Sequence, residues 1–293
     1  MPFHQLVIEL PGRELARAEE ACRRLGATAL MLADAGDEPL LEPAPGETPL
    51  WQDVRLRALF EAGENPALLV ATLAAVLGLA PSAIAVEHVE DRVWEREWLR
   101  DFRPMRFGRR LWVCPAGQPP GNAAATVLEL DPGLAFGTGT HPTTALCLEW
   151  LDEAVAGDER VLDYGCGSGI LALAALRLGA RAASAFDIDP QALQATRENA
   201  IKNCLADRIE VTGRTEDLGR GFDIVLANIL SGPLIALAPD LAARTRTGGA
   251  LVLAGLLERQ SGEVAQAYQP WFDIGPVAER DGWTLLAGRR RAE

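Results

Sequence analysis

The stretch Val161–Asp189 constrains the fold of this chain more than any other. It begins with a short apolar run that leads directly into the sequence GCGSG at residues 165–169. An apolar segment with helical spacing follows, Ile170–Leu178, and a second apolar run, Ala183–Phe186, ends at Asp187. This order predicts a strand, a glycine turn, a helix and a second strand with a carboxylate at its tip.

The predicted turn and the carboxylate together indicate a nucleoside-containing cofactor. Glycines at the start of a helix let backbone N–H groups approach a ligand closely, because no Cβ stands in the way. A carboxylate at the tip of the next strand can accept hydrogen bonds from ribose hydroxyls. We therefore predict that Gly165, Gly167 and Asp187 bind such a cofactor.

The spacing of the glycines distinguishes between cofactors. Dinucleotide sites use G-x-G-x-x-G, whereas this chain has G-x-G-x-G with Asp163 two residues before Gly165. That pattern resembles the first motif of S-adenosylmethionine-dependent methyltransferases with a seven-stranded Rossmann-like sheet. We predict S-adenosyl-L-methionine as the cofactor and include Asp163 in its site. A nicotinamide site and an ordinary turn that binds nothing are the alternatives.

Charge and composition limit the partners, the location and the kinds of site that this chain can have. The net charge of −13 repels phosphate backbones and attracts basic partners, although solubility alone would also explain it. No apolar stretch approaches the ~20 residues of a membrane span, and the N-terminus does not resemble a secretory signal. Five cysteines without CxxC spacing and three histidines favour neither a disulfide framework nor a metal site. We predict a cytoplasmic protein without metal.

The pattern of elements predicts two domains and a linker. Residues 1–90 read as β-α-β-β-α-β, typical of a small α+β ferredoxin-like domain. Residues 91–120 are predicted to form an interdomain linker helix, with Trp94 and Trp98 on one face, and a strand. Residues 121–293 alternate strands and helices, which requires a parallel sheet covered on both faces.

Within the region 121–293 the strands are predicted individually. They are Thr126–Leu130, Arg160–Tyr164, Ala183–Asp187, Ile209–Thr212, Phe222–Asn228, Ala250–Gly255 and a final pair near Phe272–Ala278 and Trp283–Ala287. The final pair, with Asp281-Gly282 as its turn, fits the antiparallel end of a methyltransferase sheet. The predicted fold class is α/β, a seven-stranded Rossmann-like class I methyltransferase domain preceded by the small α+β domain.

Asn228 is a candidate for both catalysis and cofactor binding. It ends a predicted strand, and ligands of open α/β sheets bind outside the carboxyl ends of the strands. Its side-chain carbonyl could accept a hydrogen bond from an amine and direct the nitrogen lone pair at a methyl group. The sequence resembles the asparagine-led motif of amino-group methyltransferases, with Ile229-Leu230 in place of the usual prolines. The alternative is that Asn228 caps a helix at Ser231–Leu241.

A glycine- and threonine-rich loop, residues 131–144, carries the other candidates. Thr143 and Thr144 could bind the carboxylate or amino end of the cofactor, and His141 could contact the substrate or take up a proton. A structural role for this histidine is the alternative. Phe136 could form a dry pocket beside the reacting amine. Gly137 is one of the closely spaced glycines that would allow the loop to act as a mobile lid.

Several long stretches together resemble one family. The loop DPGLAFGTGTHPTT, the turn VLDYGCGSGILALAALRLGA, the tip DIDPQAL and the strand end ANILSGPL are similar to the ribosomal protein L11 methyltransferase family, PrmA. The segment EREWLRDFRPMRFGRRLWVCP resembles that family's interdomain segment. The resemblance is close over residues 91–290 and looser over 1–90.

The resemblance implies a cytosolic enzyme that methylates amines of one large-subunit ribosomal protein. Lysine side chains and the N-terminal amine would be its targets, and the N-terminal domain would recognise the substrate. Cofactor contacts would be Thr144, Gly165, Asp187 and Asn228. We expect a monomer that needs neither nucleic acid nor a membrane. The alternatives are a methyltransferase of another protein, RNA or small molecule, a non-catalytic S-adenosylmethionine-binding regulator, and a nicotinamide dehydrogenase.

Overall fold

The computed structural model describes residues 3–36, 50–61, 63–89, 103–118, 120, 125–130 and 139–292. The chain divides into two compact units, Met1–Val93 and Trp94–Glu293. The predicted linker helix with Trp94 and Trp98 lies outside the described residues, so the predicted linker boundaries stay a prediction. None of the helices in the described ranges has the length and apolar character needed to cross a membrane.

The first unit is a four-stranded antiparallel sheet with two helices on one face. Its elements are β1 (Phe3–Pro11), α1 (Leu15–Arg24), β2 (Ala29–Asp34), β3 (Asp53–Glu61), α2 (Pro66–Leu77) and β4 (Ile84–Val89). The strand order is β2-β3-β1-β4. Alternate residues such as Leu6, Ile8, Leu56 and Phe60 are buried against the helices. This is the predicted ferredoxin-like arrangement.

The ends of α2 show how the sequence fixes a helix in this unit. The Asn65 side chain accepts hydrogen bonds from the N–H groups of Ala67 and Leu68, and Pro66 occupies the first turn. The helix ends at Gly78, whose φ of 73° lies in the left-handed region that glycine adopts without strain.

The second unit contains a seven-stranded sheet. Its elements are β5 (Met105–Phe107), β6 (Leu111–Cys114), β7 (Thr126–Glu129), α3 (Pro142–Ala154), β8 (Arg160–Tyr164), α4 (Ile170–Leu178), β9 (Ala182–Phe186), α5 (Pro190–Lys202), β10 (Ile209–Thr212), β11 (Phe222–Asn228), α6 (Ser231–Ala236), α7 (Ala238–Arg244), β12 (Thr245–Leu257), α8 (Ser261–Tyr268), β13 (Phe272–Arg280) and β14 (Trp283–Arg290). The sheet order is β10-β9-β8-β11-β12-β14-β13.

The topology of this sheet places a ligand site between β8 and β11. The strands β8 to β12 are parallel, and β14 pairs antiparallel with both β12 and β13. The strand order reverses between β8 and β11, which is the switch point at which open α/β sheets bind ligands. The predicted Rossmann-like sheet with its antiparallel end is confirmed.

The core of this unit lies on both faces of the sheet. Side chains of successive strand residues point to opposite faces, so Val161 packs with α3 and α4 while Leu162 packs with α6, α7 and α8. The glycine turn thus follows a strand, β8, that packs on both faces. This packing fixes the position at which the turn begins.

One predicted strand belongs to a different sheet from the one expected. The strand predicted at Thr126–Leu130 is β7, which pairs in parallel with β6 in a separate three-stranded sheet, β5-β6-β7. Asn203, which caps the C-terminus of α5, binds the backbone of Glu129: its side chain accepts from the Glu129 N–H at 3.0 Å and donates to the Glu129 carbonyl at 2.6 Å. At Glu129, hydrogen bonds from the Asn203 side chain therefore take the place of a neighbouring strand on the free edge of β7.

Candidate active site

A cavity of about 710 Å³ opens at the carboxyl ends of β8, β9 and β11. Its lining residues come from these strand ends, from the first turns of α3 and α4, from α6 and the residue after it, and from the turn that follows β10. They are Thr144, Tyr164, Gly165, Cys166, Gly167, Ile170, Leu171, Phe186, Asp187, Ile188, Thr215, Asn228, Ile229, Leu230, Pro233, Ala236 and Leu237. The cavity is mostly apolar with a few polar side chains, which is typical of small-molecule sites.

The glycine turn forms one wall of this cavity. Gly165, Gly167 and Gly169 have φ angles of 84°, 52° and 79°, a backbone region that other residues rarely adopt. The N–H groups of Gly165 and Cys166 both donate to the carbonyl of Phe186, at 2.8 and 2.9 Å. A Cβ at Gly165 would overlap Cγ2 of Ile229. The sequence therefore needs glycine here both for the backbone angle and for space.

Asp187 joins the turn to the tip of β9. Its Oδ2 accepts from the Gly167 N–H at 2.9 Å, and its Oδ1 accepts from the Asp189 N–H at 3.0 Å. A carboxylate has about four acceptor sites, so each oxygen can accept a further hydrogen bond from a ligand. The next residue, Ile188, is 86% exposed at the cavity mouth. This geometry suits the two hydroxyls of a ribose.

Asp163 lies beneath the turn and is fully buried, with 0% exposure. Its Oδ2 accepts from the N–H of Ala172 in α4 at 3.0 Å. Its Oδ1 has no hydrogen-bond partner among the residues that the structure describes. Burial raises the pKa of this carboxyl to about 7, and the nearby charge of Asp187 adds to the rise. The structure thus places Asp163 behind the cavity wall, where it supports the start of α4.

Asn228 and Thr144 meet at the opposite side of the cavity. The Asn228 Nδ2 donates to Oγ1 of Thr144 at 3.3 Å. This bond uses an N–H of the amide and leaves the carbonyl oxygen as the acceptor for another group. The alternative role of Asn228 as a helix cap does not occur, because α6 begins at Ser231 with Leu230 as its capping residue and without a side-chain bond.

His141 and Thr143 lie at the start of α3. His141 is the capping residue: its Nδ1 accepts from the Thr143 N–H at 3.4 Å and lies 2.8 Å from Thr143 Oγ1. Its ring meets Trp283 edge to face, with 4.8 Å between the centroids. Burial lowers the pKa of His141 below its ordinary value, because it disfavours the charged form of the ring. The cavity lining includes the neighbouring Thr144 but neither of these two residues.

The structure brings together Thr144, Gly165, Gly167, Asp187 and Asn228 of the predicted site residues. Asp163 supports them from below. The predicted Phe136 and Gly137 lie outside the described residues. Among the residues described, there is no group of three or more His, Cys, Asp or Glu side chains placed to hold a metal ion.

Sequence reasoning missed the apolar walls of the cavity. Tyr164 and Phe186, whose rings lie 4.5 Å apart, end β8 and β9 directly before the glycine turn and Asp187. In the sequence they are indistinguishable from core residues of a strand. Ile229 and Leu230 could have been predicted, because they follow Asn228 at a carboxyl strand end, where ligands bind.

Comparison with known proteins shows similarity to one family over nearly the whole chain. A family model described as ribosomal protein L11 methyltransferase (PrmA) matches residues 2–291. The protein named ribosomal protein L11 methyltransferase in Pseudomonas paraeruginosa is 48% identical over 294 residues, which cover 100% of both chains. The protein of that name in Alkalilimnicola ehrlichii is 48% identical and covers 99% of this chain and 100% of its own length.

A solved structure extends the similarity to three dimensions. The ribosomal protein L11 methylase of Lactobacillus delbrueckii subsp. bulgaricus has a TM-score of 0.60 and 32% identity, covering 65% of this chain and 100% of its own. With the family model and the full-length relatives, this shows that the chain belongs to the ribosomal protein L11 methyltransferase family, PrmA.

Proposed function

We propose that this protein transfers methyl groups from S-adenosylmethionine to ribosomal protein L11, at lysine side chains and the N-terminal amine. The observation that carries the proposal is that one cavity contains Asp187 on one side and the Asn228–Thr144 pair on the other. A nucleoside and an amine could therefore be bound next to each other. The identity of the basic protein substrate is supported by the names of the relatives.

S-adenosylmethionine is the cofactor of this family, and the residues present fit it. The cradle at Gly165, which a Cβ would fill, would hold the amino acid portion, and Asp187 would accept hydrogen bonds from the ribose hydroxyls. Tyr164, Phe186 and Leu237 supply apolar walls. When bound, the sulfonium supplies an activated methyl group.

The protein's own task is to present a neutral amine. A free lysine has a pKa of about 10.4, so the substrate must lose a proton before its lone pair is available. The apolar walls disfavour the charged ammonium form. The carbonyl oxygen of Asn228 accepts a hydrogen bond from the neutral amine and orients it, while Thr144 holds the Asn228 amide in place. Positioning of this kind supplies most of the rate enhancement.

His141 has a capping role in this proposal. Its Nδ1 is engaged with Thr143 at the start of α3, and burial lowers its pKa. We therefore assign proton uptake to water and treat His141 as the residue that fixes the helix turn carrying Thr144.

The first unit and the net charge of the chain bear on how the protein substrate is recognised. We propose that residues 1–90 recognise the ribosomal protein, and that the net charge of −13 favours this basic substrate over nucleic acid. We further propose that the protein acts as a monomer in the cytoplasm.

The test is incubation with isotope-labelled S-adenosylmethionine and purified ribosomal proteins, followed by mass spectrometry of each product. We expect label on L11, at lysine and N-terminal amines. Label on RNA or on a different protein would point to another methyltransferase. Tight cofactor binding without transfer would indicate a regulator, and binding of a nicotinamide cofactor instead would overturn the proposal.

A further inference from the structure

One face of α5 holds the glycine turn at residues 165–169. Thr196 and Asn199 lie three residues apart on this helix, and both are 0% exposed. Thr196 Oγ1 donates to the carbonyl of Gly167 at 3.0 Å, and Asn199 Nδ2 donates to the carbonyl of Ser168 at 3.0 Å. Two consecutive carbonyls of the turn are thus bound by buried side chains of a separate helix.

The turn needs such support because its glycine backbone can adopt many conformations. Glycine has more conformational freedom than any other residue, and Gly165, Gly167 and Gly169 all have positive φ angles. A segment that must be ordered on binding loses affinity through that ordering. Because the peptide group is planar and trans, a carbonyl drawn towards α5 directs the following N–H the opposite way. The two hydrogen bonds therefore fix the peptide orientations before a ligand arrives.

Thr196 is fitted closely to the turn. A Cβ at Gly169 would lie 2.7 Å from Cγ2 of Thr196. Thr196 Oγ1 also lies 3.4 Å from Sγ of Cys166. The side chain therefore contacts the turn around Cys166, Gly167 and Gly169, so a shift of Thr196 moves the turn.

We propose that Thr196 and Asn199 are positioning residues that preorganise the glycine turn for S-adenosylmethionine. The inference rests on the proposed function for the identity of the ligand. Neither residue is part of the cavity lining, so both act through the carbonyls of Gly167 and Ser168.

Asn203, the residue that caps the C-terminus of the same helix, provides a matched control. It is 1% exposed, four residues after Asn199, and its Nδ2 also donates to a backbone carbonyl, that of Glu129 at 2.6 Å. Among the described residues its hydrogen-bond partners are Glu129 in β7, Arg177 in α4 and Asn199 in α5, all outside the glycine turn. Asn203→Ala should therefore lower stability as Asn199→Ala does without changing the turn.

The experiment compares the full-length wild type with Thr196→Val, Thr196→Ser, Asn199→Ala and Asn203→Ala. Calorimetry measures the Kd of S-adenosylhomocysteine, thermal unfolding measures Tm, and steady-state assays give KM for S-adenosylmethionine and kcat. We expect Thr196→Val and Asn199→Ala each to weaken binding about fivefold to tenfold, the effect of one hydrogen bond. KM should rise accordingly, with kcat at saturation within about twofold of wild type, since the hydrogen bond lost acts on binding alone.

Two comparisons decide the result. Thr196→Ser keeps the hydroxyl and should bind as the wild type does, and Asn203→Ala should lower Tm without weakening binding. Wild-type affinity in Thr196→Val, or equal loss of affinity in Asn203→Ala, would overturn the inference. If the alanine variants fail to fold, Thr196→Val against Thr196→Ser carries the test. If the wild type itself binds no S-adenosylhomocysteine, the proposed function fails instead.

Discussion

The two ends of the parallel strands in the seven-stranded sheet use polar residues differently. At the amino ends, Asp223 accepts from the Arg160 N–H at 2.8 Å and pairs with the guanidinium of Arg246. Arg208 donates to the carbonyl of Ala180. The depression there is about 250 Å³. Its lining includes Arg160 and Arg208, which donate to backbone carbonyls, and Arg181, which pairs with Asp158. At the carboxyl ends, the polar side chains hold the backbone around an apolar cavity.

Two buried or half-buried carboxyls show the difference most clearly. At Asp223, burial would raise the pKa, but the N–H of Arg160 and the charge of Arg246 outweigh it and hold the pKa below its usual range. At Asp163, burial dominates and raises the pKa to about 7. The polar groups at the amino ends thus stabilise the fold. At the carboxyl ends, beside the candidate cofactor cavity, the sheet retains a buried carboxyl whose ionisation is unfavourable.

The largest effect is expected from Asn228→Ala at the carboxyl end. Loss of the oriented amide should lower the rate of methyl transfer about a hundredfold, the cost of misplacing a reactant by about 1 Å. The Kd for S-adenosylmethionine should change by less than about threefold, because Asp187 and the glycine turn remain. Single-turnover assays and calorimetry check both quantities. Equal losses in rate and affinity would show that Asn228 is a binding residue only.

Asp163→Asn should remove a pH dependence of stability. A carboxyl whose pKa is raised by folding contributes stability that is complete below pH ~4 and is lost as the pH rises through about 7. Without cofactor, the unfolding free energy of the wild type should therefore fall by about 2–3 kcal/mol relative to the variant between pH 5 and 8. Denaturant titrations at several pH values measure this, and parallel curves for the two proteins would contradict it.

Gly165→Ala and Gly221→Ala place the same substitution in similar backbone conformations, the first at the carboxyl ends of the strands and the second at the amino ends. Their φ angles are 84° and 76°, so each alanine costs about 1–2 kcal/mol of stability. At Gly221 a Cβ meets nothing within 4 Å, whereas at Gly165 it would overlap Ile229 in the cavity wall. We expect only Gly165→Ala to weaken S-adenosylmethionine binding, by about tenfold or more. Similar affinities of the two variants would remove the distinction between the ends.

Arg246→Ala should have the smallest effect. The ion pair of Arg246 with Asp223 is half exposed, and such pairs contribute about 0–1 kcal/mol. Stability should fall within that range, and cofactor affinity should stay within twofold. A clear loss of affinity in calorimetry would mean that the amino end also contributes to the site.

The sequence predicts much of this molecule because its local signals are strong. The bounds of β8, β10 and β11 match the predicted ones, since each strand is a short segment with alternating or consecutive apolar residues that ends at, or just before, a glycine or polar residue. The turn at Asp281-Gly282 is also confirmed: both residues have positive φ, as a tight hairpin requires.

Other features depend on contacts between distant residues and could not be predicted. The strand β7 pairs with β6 and is bound at Glu129 by Asn203, which lies 74 residues further along the chain. The helix considered at Ser231–Leu241 is two helices, α6 and α7, because Pro239 in the first turn of α7 has no N–H to continue a single helix. The support of the glycine turn by Thr196 likewise joins residues that only the fold brings together.

The most direct test of the account is calorimetric titration of S-adenosylmethionine into the wild type, Asp187→Ala and Asp223→Ala. Both variants remove a carboxylate that accepts a backbone N–H, one at each end of the sheet. We expect heat of binding from the wild type and Asp223→Ala, and at least about tenfold weaker binding by Asp187→Ala. No binding by the wild type, or unchanged affinity of Asp187→Ala, would contradict the assignment of the cofactor to the carboxyl ends.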